Sequence, residues 1–145
     1  AGAPSLSKEF YEQFVDEQVH FVSNETYSLL QCSTAALVTS GTATLETALF
    51  RVPEVVCYKG SKISYEIGKR LVKNIRFISL VNLIMDKEIV KELIQDDLTT
   101  SHLTRELNLV LTTNRKAILE NYTVLHEKLG NHGASEKAAE IIVKK

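Results

Sequence analysis

Ala35-Ala36-Leu37-Val38-Thr39-Ser40-Gly41-Thr42-Ala43-Thr44-Leu45-Glu46 is the stretch whose reading decides the fold. It opens as a continuous apolar run, Ala35 to Thr39, typical of a strand buried on both faces. Ser40-Gly41-Thr42 breaks the run, and Ala43 to Phe50 continue as a helix that Pro53 stops. A buried strand that turns through small residues into a helix is half of a βαβ unit. The other half follows at once, because Val55-Val56-Cys57-Tyr58 reads as the next strand.

Further out, the alternation continues. Ser64 to Lys73 reads as a helix and Phe77-Ile78-Ser79-Leu80 as a last short strand. Upstream, Tyr27 to Cys32 reads as a short helix and Val19-His20-Phe21-Val22 as a strand. Phe10, Phe14 and Val15 recur at helical spacing behind Ser7, a candidate cap. Ala1-Gly2-Ala3 before Pro4-Ser5 looks like the tail of a fifth strand. From Asp86 onward the pattern is helical throughout. Ile89, Val90, Leu93 and Ile94 share a face, as do Leu103, Leu107 and Leu111, then Ile118, Tyr122, Leu125 and Leu129, and last Ala138, Ile141 and Ile142. Strands alternating with helices imply right-handed crossovers and a parallel sheet. The expected fold is α/β: one three-layer Rossmann-like domain over residues 1–145, with a helical C-terminal region.

Composition narrows the classes. With 145 residues the chain has the length of one ordinary domain. Hydrophobic residues at 44% and charged residues at 24% exclude a disordered, collagenous or coiled-coil chain. Seventeen basic against 18 acidic side chains argue against a general nucleic-acid binder. Two cysteines, Cys32 and Cys57, are too few for a disulfide framework and read as buried, reduced thiols of a cytoplasmic protein. No metal-ligand spacing joins them to His20, His102, His126 or His132, and no apolar run nears 18 residues.

Ligands of open parallel sheets bind at the carboxyl ends of the strands. Ser40 to Glu46 sits there. Gly41 admits close approach to the backbone, and the N–H groups around Ser40 to Ala43 attract a phosphate at the helix end. Ser40 and Thr42 add hydroxyls. Glu46, one turn beyond Thr42, is placed to accept from the paired hydroxyls of a ribose. Phosphate and ribose together describe a nucleotide. The same residues also serve as an ordinary cap with a dipole-favouring carboxylate. The stretch is neither a Gly-x-Gly-x-x-Gly fingerprint nor a P-loop, because no lysine follows the glycine.

Two other features share that edge. Residues 59–76 hold Lys59, Lys62, Lys69, Arg70, Lys73 and Arg76 against Glu66 alone, a net +5 where the remainder carries −6. Such a segment faces a diphosphate, an anionic lipid or a membrane surface, or is a solvated helix face. Lys59 and Lys62 lie nearest the strand end. Asn82, just past the expected last strand, either bonds a ligand or satisfies the turn backbone.

These residues, taken in order, resemble lipid-A-disaccharide synthases. The resemblance rests on Ala36–Leu49, Val52–Lys59, Lys69–Lys73, Ile78–Ile84 and Val90–Gln95. It runs from about Pro4 to the C-terminus. Ser40, Gly41, Thr42, Ala43, Leu45 and Glu46 match the family's Ser-Gly-Thr-Ala-x-Leu-Glu. Tyr58 and Lys59 match its Tyr-(Lys/Arg), and Leu80, Asn82 and Leu83 its Leu-Pro-Asn-Leu, with Val81 in place of the proline. The resemblance implies an inverting glycosyltransferase of the GT-B fold. Such an enzyme joins UDP-2,3-diacylglucosamine to 2,3-diacylglucosamine 1-phosphate without a metal or other cofactor. It works in the cytoplasm against the inner membrane of Gram-negative bacteria. This chain would be its C-terminal, UDP-sugar-binding half. The nucleotide-binding residues would be Ser40, Gly41, Thr42, Ala43, Glu46, Tyr58, Lys59 and Asn82. The family's acceptor domain, catalytic base and Pro-Gly-Ser-Arg loop would lie before Ala1, leaving the catalytic residues unidentified and the isolated half inactive. Expected partners are the lipid acceptor, the N-terminal domain and the membrane surface. A second copy is another, through the apolar face of Ala138, Ile141 and Ile142.

Other readings compete. Another UDP-sugar enzyme of the same fold would favour a more glycine-rich loop. A phosphoacceptor receiver would need an aspartate at a strand end, where this chain has Thr39, Tyr58 and Leu80. A non-catalytic nucleotide-binding α/β module would share the same binding half.

Overall fold

The computed structural model describes residues 1–2, 6–39, 41–61, 76–130 and 133–143. Among these, three parallel strands form one sheet in the order β1-β2-β3: β1 Ala36–Thr39, β2 Glu54–Tyr58 and β3 Lys91–Ile94. The helices are α1 Lys8–Glu12, α2 Thr26–Cys32, α3 Thr42–Leu49, α4 Leu80–Met85, α5 Thr100–Leu111, α6 Arg115–Leu129 and α7 Ala134–Val143. A 3₁₀ turn, Gln95–Asp97, leaves β3. The α/β class and parallel sheet expected from the sequence are those observed.

Register aligns the carboxyl ends. Thr39 pairs with Cys57 and Tyr58 with Ile94, so the loops after β1, β2 and β3 open along one edge. Helix α3 packs on β1 and β2, α5 on β2 and β3, and α6 touches both helices. The core lies between them: Ala48, Val55, Val56, Val81, Val90, Leu93, Val110, Ile118, Tyr122 and Leu125. The central strand β2 excludes solvent on both faces through Val55 and Val56. Strand β1, expected to be buried this way, is an edge strand among the described residues. Only Val38 is buried there, and Leu37 is 49% exposed.

Three expectations about strands are corrected. Residues 77–80 form no strand. The N–H groups of Ile78 and Ser79 donate to the Glu92 carboxylate (2.9 and 3.0 Å), and Ser79 becomes the N-cap of α4. Those donors are therefore not available to a ladder. Strand β3 is Lys91–Ile94, a segment read as helical. So short a segment, Lys91-Glu92-Leu93-Ile94, fits either period, and pairing with β2 decides it. Residues 19–22 form no strand either: among the described residues, the backbone bond that joins them to the first residues is Gly2 N–H to Val22 O (3.0 Å). A lone β-rich tetrapeptide without a ladder partner does not hold as a strand. Phe21 instead packs against the Tyr11 ring, 5.1 Å between centroids. The helices read at 27–32, 43–50 and across the C-terminal region are present within a residue or two, apart from the segment that became β3. The helix read at 64–73 lies outside the described residues, and so does Ala3 of the expected fifth strand, whose Ala1 and Gly2 are not in a strand. Ser7 occupies the N-cap of α1 but makes no capping bond with its side chain, whereas Thr99 caps α5 by accepting from the His102 N–H. Both cysteines are free. Cys57 is half-buried, and burial pushes its thiol up, but Cys32 is exposed on α2 rather than buried.

Candidate functional site at the carboxyl edge of the sheet

The turn from β1 into α3 depends on one glycine. Gly41 has φ +135° and ψ −159°, a region closed to residues with a side chain. A Cβ there would meet nothing within 4 Å, so the requirement is conformational, not steric. Replacing Gly41 by alanine should cost about 1–3 kcal/mol, read as a lower urea midpoint with an unchanged slope. Equal midpoints would mean the turn does not need this conformation.

Beyond Gly41 the helix sorts its threonines. The Thr44 hydroxyl donates to Gly41 O (2.8 Å) and the Thr47 hydroxyl to Ala43 O (2.8 Å), and both side chains are buried. Thr42 is exposed and Ala43 half-buried. Their N–H groups belong to the first turn, where a helix supplies no internal acceptor. Glu46 is also half-buried. It lines a cleft of about 500 Å³ with Gly2, Asn24, Glu25 and Thr26. A second cleft of about 370 Å³ runs from Glu46 along Thr39, Leu37 and Leu29. Stacking of Tyr27 on Phe50, with centroids 5.2 Å apart, holds α2 beside α3. The carboxylate therefore stands between the helix N-terminus and an open cleft.

After β2, Tyr58 is 39% exposed and Lys59 is exposed. The Tyr58 ring folds back over Gly60, where a Cβ would stand 3.0 Å from the phenol oxygen. Gly60 N–H donates to Gln95 Oε1 (3.1 Å), tying the β2 loop to the end of β3. Ser40 lies outside the described residues, as do Lys62, Lys69, Arg70 and Lys73. Arg76 sits 3.6 Å from Asp86 Oδ1 and over the Phe77 ring (5.3 Å).

Asn82 stands apart from this edge. It is wholly buried on α4 and reaches the residues that lead into β3. Its Nδ2 donates to Val90 O (2.8 Å) and Glu92 Oε1 (2.9 Å). Its Oδ1 accepts from the N–H groups of Ile89 (2.7 Å) and Val90 (3.1 Å). Two donors and two acceptor sites are the full capacity of a carboxamide. Of the two roles read for Asn82, satisfying backbone is the one the geometry supplies. Its placement past a strand end fails because residues 77–80 are not a strand. Gln95 was missed for the converse reason. Had residues 91–94 been read as a strand, Gln95 would have fallen beside Tyr58 at the carboxyl edge.

The arrangement offers backbone donors, a carboxylate one turn away and a lysine on the adjacent loop, along one edge of a parallel sheet. The Lipid-A-disaccharide synthetase family model matches residues 5–145. The chain belongs to this family. The lipid-A-disaccharide synthase of Syntrophus aciditrophicus is 42% identical over 83% of this chain and 32% of its own length. That of Colwellia psychrerythraea is 32% identical over 97% of this chain and 37% of its own. The chain therefore spans about a third of the length of the curated relatives it matches. Among the described residues no helix is long and apolar enough to cross a membrane.

Proposed function

We propose that this chain is the UDP-sugar-binding domain of an inverting, GT-B-type glycosyltransferase of lipid A biosynthesis. Its donor is UDP-2,3-diacylglucosamine and its acceptor 2,3-diacylglucosamine 1-phosphate. The acceptor domain and the catalytic base are supplied by the part of the relatives' length that this chain does not span. Family membership supports the reaction class. The observation that carries the binding role is the Gly41 turn, which sets the N-terminus of α3 at the carboxyl edge with Glu46 one turn further on.

In this reading the Thr42 and Ala43 N–H groups and the helix dipole receive the diphosphate, and Ser40 adds a hydroxyl. Glu46 accepts from the ribose hydroxyls, and Tyr58 and Lys59 close the site from the neighbouring loop. The departing UDP is stabilised by these fixed donors and by Lys59. No metal enters the scheme. Asn82 acts on the site only through the fold. The domain works in the cytoplasm beside the inner membrane, its partners being the lipid acceptor and the rest of the enzyme rather than nucleic acid.

An amide-shift titration with UDP, with ADP as control, tests this reading. UDP-selective shifts are expected at Thr42, Ala43, Glu46, Tyr58 and Lys59. Equal shifts with both nucleotides would reduce the site to general phosphate binding, and no shifts would refute it for this chain.

A further inference from the structure

Gln95 is an unusual residue for its position. It follows β3 and opens the 3₁₀ turn at φ +53°, a left-handed conformation that a glutamine adopts only at a cost. Its Oε1 accepts from Gly60 N–H at 3.1 Å. Its Nε2 is buried and meets no acceptor among the described residues. A buried unpaired donor costs more than a neutral hydrogen bond returns. Stability by itself therefore does not account for a carboxamide here, where an apolar side chain would pack without that penalty. Strained and under-satisfied residues concentrate where a fold serves a ligand.

The position says which part of the site is served. Tyr58 and Ile94 are paired in register, so Gln95 follows directly beside the β2 loop at the carboxyl edge. That loop is held at Gly60 from two sides: by the Gln95 acceptor and by the Tyr58 ring lying over it. Between these contacts stands Lys59, exposed. We propose that Gln95 is a positioning residue for the nucleotide site, holding the Tyr58–Lys59–Gly60 loop at the sheet edge so that Tyr58 and Lys59 meet the ligand together with the N-terminus of α3. It acts through Gly60. The proposal rests on the nucleotide-binding reading above.

The test compares this chain with its Gln95→Leu and Gln95→Glu variants by amide hydrogen exchange and UDP titration. In the wild-type chain the Gly60 amide should be protected. Gln95→Leu, similar in size but without an acceptor, should lose that protection. It should bind UDP about tenfold more weakly, the loss expected of roughly one hydrogen bond. Its melting temperature should not fall, and the UDP shifts at Thr42 and Ala43 should persist at saturation. Gln95→Glu keeps an acceptor and should keep the Gly60 protection. An unprotected Gly60 amide in the wild-type chain overturns the proposal, as does wild-type UDP affinity in Gln95→Leu. If Gln95→Leu does not fold, Gln95→Asn carries the same comparison, since it tolerates positive φ but is one methylene shorter. A wild-type chain that binds no UDP overturns the nucleotide reading and, with it, Gln95's service to that ligand. The Gly60 exchange rates in the same samples tell that failure apart from a loop that Gln95 does not hold.

Discussion

Replacing Glu54 by glutamine should stabilise the chain by about 3 kcal/mol at pH 7 and by almost nothing at pH 4. Glu54 opens the central strand and is wholly buried. Its Oε1 accepts from the Tyr122 hydroxyl at 3.4 Å, and its Oε2 has no partner among the described residues. Burial raises its pKa from 4.5 to about 9, outweighing the opposing Tyr122 bond. Tyr122 is itself pushed up, first by burial and then by the neighbouring Glu54. The folded state therefore keeps Glu54 protonated at neutral pH, while the unfolded chain ionises it above its ordinary pKa. A group whose pKa is raised by folding contributes stability that is intact below the unfolded value and lost as pH rises towards the folded one. Stability should thus fall between about pH 4.5 and pH 9. Glutamine has the shape of the neutral acid and no proton to lose. Urea titrations of both chains at several pH values should diverge across that window. Parallel curves would show that Glu54 is not buried as a neutral acid.

The second large effect is at Asn82. Asn82→Ala should cost on the order of 4 kcal/mol, because each buried polar group left unpaired costs about 1–3 kcal/mol. The substitution strands three backbone groups, the N–H of Ile89 and both polar groups of Val90, and removes a donor to Glu92. Asn82→Asp is isosteric but sets a carboxylate at the 2.9 Å contact with Glu92 Oε1, so it should destabilise as well, and more at pH 7 than at pH 4. By contrast, Glu46→Ala removes a half-buried side chain that lines a cleft, and should change stability by less than about 0.5 kcal/mol. The two variants separate the roles. An Asn82→Ala chain with unaltered urea midpoint would return Asn82 to the list of ligand contacts.

Hydrophobic pattern revealed β2 but not the burial of its first residue, and it did not reveal α4. Glu54 lies between Pro53 and the apolar run Val55 to Tyr58, and no local signal marks a charged residue there as buried. It is buried only because β2 is central, with β1 and β3 on its two sides. Asn82 reads as a turn amide because Phe77-Ile78-Ser79-Leu80 has strand propensity. That propensity is overridden by Glu92, 13 residues away from Ser79 in the chain, which takes up the donors a ladder would need.

What the sequence determined by itself was the βα unit around Gly41 and its consequence. An apolar run, a glycine and a small-residue helix followed by a second apolar run admit few packings, and a parallel α/β sheet is the common one. The candidate phosphate end at Thr42–Ala43 and the carboxylate at Glu46 followed from local spacing, since both depend on contacts within one helical turn. Only the tertiary structure decided which short apolar segments became strands. Residues 77–80 have the stronger local strand preference, yet 91–94 pair with β2, and Glu92 takes up the Ile78 and Ser79 donors. That choice set Gln95 at the carboxyl edge of the sheet and left Asn82 among the residues that lead into β3. Strand pairing and buried hydrogen bonds join residues distant in sequence, so their energies are not written in any local window.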